Sequence, residues 1–147
     1  MRNLLILGTA LVMSLGVWST ALAQPPRQPH AGEIAAGLRR LGVTGSVLYV
    51  AAHPDDENTR LLAWLAGGRG LRAGYLSMTR GDGGQNLIGT EQDELLGLIR
   101  TYELLAARRI DGAEQLFTRA RDFGYSKSAD ETLRIWGREQ VLADVVL

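Results

Sequence analysis

Short apolar runs, separated by glycine and polar residues, predict three β-strands. Residues 46–52 form a nearly continuous apolar run rich in β-forming residues, which favours a buried strand covered on both faces, as in a parallel sheet. A second strand is predicted over residues 71–78 and a third over residues 115–118.

Between and after these strands, apolar residues recur at helical spacing. The longest such segment has acidic residues in its first turn and Arg108 and Arg109 at its end. Charges in these positions interact favourably with the helix dipole and stabilise the helix. The predicted helices cover residues 33–41, 55–66, 90–110, 128–136 and 137–147. This order of elements predicts an α/β protein, a Rossmann-like layered fold with a mostly parallel sheet. Because residues 141–147 carry no helix stop signal, we expect a fold that is truncated at its C-terminus.

The first residues have the three-part pattern of a secretory signal peptide. Arg2 is basic, residues 4–17 are apolar, and Ala21 and Ala23 place small side chains where a signal peptidase cleaves. The apolar run of about 14 residues is shorter than the roughly 20 of a membrane-spanning helix, which favours cleavage after Ala23 over an uncleaved anchor. We expect a secreted or periplasmic protein, without a stable membrane span once residues 1–23 are removed.

The rest of the chain divides into two parts. Residues 24–44 form a proline-rich linker and a short helix, and residues 45–147 form one α/β domain. We find no internal repeat.

Composition limits the partners and the chemistry. The 147 residues include 16 basic and 16 acidic side chains, so no long-range field attracts nucleic acid or an anionic membrane surface. Cysteine is absent, which excludes disulfides, thiolate metal sites and a cysteine nucleophile. A metal ion in this chain must therefore be held by histidine and carboxylate side chains.

Residues 53–57, His-Pro-Asp-Asp-Glu, concentrate one imidazole and three carboxylates where the first predicted strand ends. Ligands bind at the carboxyl edge of open α/β sheets, and zinc accepts both imidazole nitrogen and carboxylate oxygen. If the turn lets His53 and Asp56 face one ion, Asp55 lies beside it as a general base. Glu57 then either orients a metal ligand or stabilises the N-terminus of the following helix through its negative charge. The alternative is that the acidic residues only cap the following helix and that His53 is solvated.

Three segments carry motifs of one known enzyme family. Residues 52–57 read Ala-His-Pro-Asp-Asp-Glu, residues 79–84 read Thr-Arg-Gly-Asp-Gly-Gly, and residues 100–103 read Arg-Thr-Tyr-Glu. Together they resemble the signatures of the PIG-L/LmbE-like N-deacetylases, whose second motif more often has Glu in place of Asp82. Members of that family remove acetyl groups from N-acetylglucosamine-type substrates.

The resemblance implies a zinc-dependent hydrolase. By analogy, His53 and Asp56 are zinc ligands, Asp55 is the general base, and a water activated at the metal attacks the acetyl carbonyl. A His/carboxylate donor set also accepts Fe²⁺ or Mn²⁺. The expected partner is a small N-acylated, sugar-like substrate.

The resemblance also indicates residues that contact substrate hydroxyls. Arg80, Asp82 and Asn86 lie on the glycine-rich loop, residues 79–89, which could equally be a polar surface loop. Arg100 either lines the site or only pairs with Glu103 on the helix surface.

The third ligand of the family is a histidine that lies far downstream of these motifs. This chain has two histidines, and His30 lies in the predicted proline-rich linker. We therefore expect the chain to lack the third metal ligand and to bind zinc weakly. A parallel sheet cut at this point exposes an unpaired edge and an apolar face, so we also expect poor solubility or pairing with another chain.

A function of a different class is an alternative. A non-catalytic α/β domain could use the same edge of the sheet to bind a sugar or a nucleotide. A nucleotide-binding enzyme is disfavoured, because neither G-x-G-x-x-G nor a P-loop follows any predicted strand.

Overall fold

The computed structural model describes residues 27–146 of the chain. The predicted signal peptide, residues 1–23, lies outside the described residues. Within the described range, no helix is long and apolar enough to cross a membrane.

The centre of the molecule is a parallel sheet in the order β1 (Ser46–Ala51), β2 (Arg72–Ser77), β3 (Glu114–Phe117). Tyr49 of β1 is aligned with Tyr75 of β2, and Tyr75 is aligned with Gln115 of β3. The predicted α/β fold with a parallel sheet is confirmed. All three strands end at the same edge, so the loops that follow them are neighbours.

Helices connect and follow the strands. The longest ends where Gly112 adopts a left-handed conformation, with φ +79°, and its N–H donates back to the helix. The helices are α1 (Ala31–Arg40), α2 (Thr59–Ala63), α3 (Asp93–Asp111), α4 (Ala129–Trp136) and α5 (Arg138–Val146), and α2 continues into a π-helical turn, Trp64–Gly68. One face of the sheet is therefore covered by α2, its π-helical turn and α3.

The five helices begin one to four residues from the predicted positions, and the starts of α1 and α2 have identifiable causes. The second helix was expected from residue 55, but α2 begins only after Asn58, whose side chain accepts the N–H of Leu61 at 3.0 Å. The first begins two residues earlier than expected, because His30 caps α1. Its Nδ1 accepts the N–H of Glu33 at 3.3 Å, and the Glu33 carboxylate accepts the N–H of His30 at 3.0 Å.

The buried core lies between the sheet and these helices. Tyr75 in the central strand and Leu62 in α2 are fully buried. The core residues are Leu62, Leu65, Ala66, Ala73, Tyr75, Leu104 and Ala113, with Val47, Tyr49 and Ala51 of β1 packed against them.

The opposite face of the sheet does not match the prediction of a strand covered on both sides. Leu48 and Val50 of β1 are 45% and 47% exposed, and Leu116 of β3 is 43% exposed. Leu48 and Leu116 approach each other over Gly74, since a Cβ on that glycine would lie 3.2 Å and 3.7 Å from their side chains. The prediction was wrong for the described residues, because the helices that pack on the sheet cover only its other face.

Candidate metal centre and substrate cleft

The turn after β1 is held from below by two tyrosines. The Tyr75 hydroxyl donates to the backbone carbonyl of His53, and the Tyr49 hydroxyl donates to that of Asp56 at 3.3 Å. The two rings pack edge to face, with centroids 5.9 Å apart. Because the tyrosines are aligned on adjacent strands, they fix both ends of the turn to the sheet.

The glycine-rich loop after β2 packs against the same turn. The N–H and the hydroxyl of Thr79 both donate to the carbonyl of Ala52, at 3.0 Å and 2.9 Å. Pro54 is buried beneath Gly81, where a Cβ would lie 3.0 Å from the Pro54 Cδ. Gly81 has φ +69°, a conformation that other residues rarely adopt. The turn and the loop therefore need this glycine in order to meet.

The side chains of His53 and Asp56 converge at the edge of the sheet. His53 Nδ1 lies 3.3 Å from Asp56 Oδ2, and the same oxygen accepts the His53 N–H at 2.9 Å. Two ligand atoms of a tetrahedral zinc ion, each about 2.0–2.1 Å from it, are separated by about 3.3 Å. Both side chains are partly exposed, so the pair fits a metal ion that solvent can reach. Among residues 27–146, no group of three or more potential ligand side chains is arranged to hold an ion.

Asp55, the residue before Asp56, is exposed to solvent. Its side chain is 70% exposed, and its only ion-pair contact within the described chain is with Arg100, at 3.4 Å from Oδ1 to Nη2. Arg100 also lies 3.8 Å from Glu103 on its own helix. Arg100 thus contacts Glu103 on its own helix and Asp55 on the turn.

Glu57 turns inward. Its carboxylate accepts a hydrogen bond from Arg108 at 3.2 Å, and Arg108 also donates to Asp111 at 2.6 Å. The three side chains are 7%, 4% and 7% exposed. The Arg108 guanidinium lies 5.3 Å from the centre of the Tyr75 ring. This buried ion cluster ties the end of the turn to α3, so Glu57 anchors the turn rather than the start of a helix.

Comparison with known proteins supports the family resemblance of the three motifs. The family model described as PIG-L: GlcNAc-PI de-N-acetylase matches residues 48–146. The chain belongs to the PIG-L family. The description of this family names a de-N-acetylase, the class of enzyme that the motifs resemble. No curated protein matches the chain.

Among solved structures, this PIG-L chain is similar to GalB, the 4-carboxy-2-hydroxymuconate hydratase from Pseudomonas putida KT2440. The two share 24% sequence identity, with a TM-score of 0.48. The alignment covers 61% of this chain and 40% of the hydratase chain, so the chain spans less than half the length of that protein.

The residues predicted for substrate binding in the PIG-L chain fall into two groups on different faces of α3. Asn86 and Arg100 line a cleft of about 600 Å³ together with Asp55. Arg80 and Asp82 line another cavity, of about 470 Å³. Only the first group shares a cleft with the predicted general base.

The polar side chains on the glycine-rich loop have partners within the protein. Arg80 donates to the Thr101 hydroxyl at 3.0 Å and lies 4.1 Å from the centre of the Phe117 ring. Asn86 Oδ1 accepts the N–H groups of Ile88 and Gly89 at 3.0 Å and 2.9 Å. Asn86 therefore shapes the wall of the cleft through the backbone that it holds.

Asp122 lies at the site although the sequence analysis did not consider it. Its side chain is 5% exposed, and Oδ1 lies 3.6 Å from His53 Nε2. Asp82 Oδ1 accepts the Asp122 N–H at 3.2 Å, and Asp82 Oδ2 lies 3.5 Å from Arg121 Nε. Its position in the sequence could have indicated this placement. Asp122 follows the third strand, and the loops after parallel strands meet at one edge of the sheet.

Proposed function

We propose that the protein is a metal-dependent N-deacetylase that hydrolyses the acetamido group of an N-acetylglucosamine-type substrate. The observation that carries this proposal is the 3.3 Å approach of His53 Nδ1 to Asp56 Oδ2. The preceding residue of the same turn, Asp55, has an exposed carboxylate. Membership of the PIG-L family supports the same reaction class.

The donor set suits a divalent metal ion. His53 and Asp56 would hold zinc, and Fe²⁺ or Mn²⁺ suit the same nitrogen and oxygen donors. When bound, the ion polarises an amide carbonyl and makes a water molecule a stronger acid. Because the described residues supply two ligands and catalytic zinc sites use three, we expect this chain to bind zinc weakly.

In this reaction, Asp55 transfers the proton. The Asp55 carboxylate accepts a proton from water as the water oxygen bonds to the acetamido carbon. The proton then passes to the nitrogen as the C–N bond breaks, which gives acetate and a free amine. Arg100, 3.4 Å away, orients the carboxylate towards the cleft.

The cleft beside Asp55 is the proposed substrate site. It has room for a monosaccharide, and Arg100 and Glu103 on its wall offer a donor and an acceptor for sugar hydroxyls. Arg80 and Asp82 have partners elsewhere, so we assign them no direct contact with the sugar.

A zinc titration by calorimetry tests the proposal. We expect weak binding of about one zinc per chain, loss of this binding in Asp56→Ala, and unchanged binding in Asp144→Asn. Asp144 is the matched control because its carboxylate pairs with Arg119 rather than with the turn. If no zinc binds, or if Asp56→Ala binds as tightly as the wild type, the deacetylase proposal fails and the non-catalytic binding domain takes its place.

A further inference from the structure

The two ring nitrogens of His53 face carboxylates of different exposure. Nδ1 lies 3.3 Å from Asp56, whose side chain is 44% exposed, and Nε2 lies 3.6 Å from Asp122, whose side chain is 5% exposed. One side of the imidazole is therefore open to solvent and the other faces the interior.

This asymmetry determines which nitrogen can bind an ion. A histidine that binds a metal through one nitrogen donates its other N–H to a carboxylate or carbonyl, which fixes the tautomer and the ring orientation. An ion and its water molecules need access to solvent, and the Asp56 side of His53 is the more exposed of the two. The Asp122 side is buried and suits an N–H donor.

We infer that Asp122 is a positioning residue, whose carboxylate accepts the Nε2–H of His53 and thereby presents Nδ1 to the metal shared with Asp56. This inference rests on the proposed function. The distance of 3.6 Å exceeds the usual hydrogen-bond range of about 2.7–3.2 Å, so the inference requires the two groups to move closer when the metal binds. Contacts of this kind commonly tighten when a site is loaded.

Asp122 is itself held in place by the glycine-rich loop. Its N–H donates to Asp82 at 3.2 Å, and its Oδ1 accepts the N–H of Gly124 at 2.8 Å. A Cβ on Gly83 would lie 2.7 Å from the Asp122 carbonyl oxygen, so this backbone approach requires a glycine. The second motif therefore acts on the metal centre through Asp122, which gives Asp82 and Gly83 a function that needs no contact with substrate.

Zinc affinity of the full chain tests the inference. Asp122→Asn keeps the size of the side chain and an acceptor for Gly124, and removes the charge that faces His53. Loss of such a carboxylate typically weakens metal binding by about 10- to 100-fold, and we expect a loss in that range. Asp144→Asn should bind as the wild type does, and Asp122→Glu should recover part of the loss.

The outcomes separate this inference from the proposed function. If Asp56→Ala abolishes zinc binding and Asp122→Asn leaves the affinity unchanged, the inference is overturned and the proposed function stands. If Asp56→Ala has no effect, the proposed function itself fails. If Asp122→Asn loses zinc because it is unfolded, its circular dichroism spectrum will show the loss of structure. In that case, the nitrogen-15 NMR spectrum of the wild-type chain tests the inference.

Nitrogen-15 NMR of the imidazole rings, in excess zinc, gives a second readout on the wild type. The chain has two histidines, and the signals of His53 are those that remain in His30→Ser, which retains a capping hydroxyl on α1. We expect zinc on Nδ1 and a proton on Nε2. Zinc on Nε2 would overturn the inference, since Asp122 would then be a ligand.

Discussion

Asp55 and Asp56 are adjacent in the chain and have opposite surroundings. Asp56 folds back onto its own turn, where its carboxylate accepts the His53 N–H, whereas the Asp55 carboxylate is 70% exposed beside Arg100. A carboxylate that is already engaged with the turn suits metal binding, and a free one suits proton transfer. We therefore propose different tasks for two identical side chains, because the turn gives them different surroundings.

Asp55→Asn should separate binding from catalysis. The amide cannot accept the proton, so we expect acetate release from an N-acetylated glucosamine to fall by about 10²- to 10⁴-fold. Zinc affinity should not change, because Asp55 is not a proposed ligand. Acetate is measured by an enzyme-coupled assay and zinc by calorimetry. A parallel loss of zinc would identify Asp55 as a ligand, and an unchanged rate would exclude it as the base.

Tyr75 links the site to stability at alkaline pH. Burial raises the pKa of Tyr75 to about 12. In the unfolded chain a tyrosine ionises near pH 10, so the folding stability that Tyr75 contributes is complete below about pH 10 and is lost as the pH rises towards 12.

Tyr75→Phe should remove this part of the pH dependence. The variant should also be less stable at neutral pH, because the His53 carbonyl loses its donor. Urea unfolding between pH 9 and about pH 11 measures both effects. Tyr125→Phe is the control, since Tyr125 is 82% exposed, and it should keep the wild-type slope. An equal slope in Tyr75→Phe would contradict the assignment.

At the scale of elements, the glycine-rich loop joins the three strand ends. Gly81 lies against Pro54 of the first turn, and Gly83 lies against the backbone of Asp122 after β3. The loop therefore fixes the distance between the turn that carries His53 and Asp56 and the segment after β3 that carries Asp122.

Gly81→Ala should loosen this arrangement. The left-handed conformation costs a residue with a Cβ about 1–2 kcal/mol, and the new Cβ would press on Pro54 at 3.0 Å. We expect lower stability in urea and weaker zinc binding. Gly37→Ala is the matched control, because Gly37 lies in the exposed helix α1 with nothing within 4 Å of its Cβ position, and it should be neutral or slightly stabilising. Equal effects of both substitutions would contradict this role of Gly81.

The strands and the position of the site were easier to predict from the sequence than the exact helix boundaries and the contacts between distant residues. Apolar runs located the three strands, and the cluster at residues 53–57 located the site, because both signals are local. The start of α2 was misplaced because acidic residues and the actual cap, Asn58, look alike before a helix. Asp122 lies 69 positions beyond His53, and only the order of the strands brings the two together.

At the scale of the whole molecule, the sheet has one covered and one partly exposed face. A continuous apolar sequence such as β1 does not reveal whether a second layer covers it. Leu48, Val50 and Leu116 form an apolar surface beside the edge strand. Surfaces of this kind favour association between chains.

Val50→Lys should reduce self-association. The long side chain covers the strand and places a charge on the apolar face, so we expect fewer oligomers across a concentration series in sedimentation velocity. Ile110→Lys is the control, because Ile110 is 90% exposed at the end of α3, away from the sheet, and it should associate as the wild type does. A wild-type chain that stays monomeric at all concentrations would contradict the prediction.

The parallel register of the sheet also affects the order of events during folding. Tyr49 pairs with Tyr75, 26 positions away, and Tyr75 pairs with Gln115, 40 positions away, so the chain must close long loops before any strand contact forms. His53 and Asp122 can meet only when the third strand has joined the sheet. The arrangement that we propose for the metal, with Asp122 behind His53, is therefore completed late in folding. An ion that requires this arrangement should slow the unfolding of the protein more than it speeds folding.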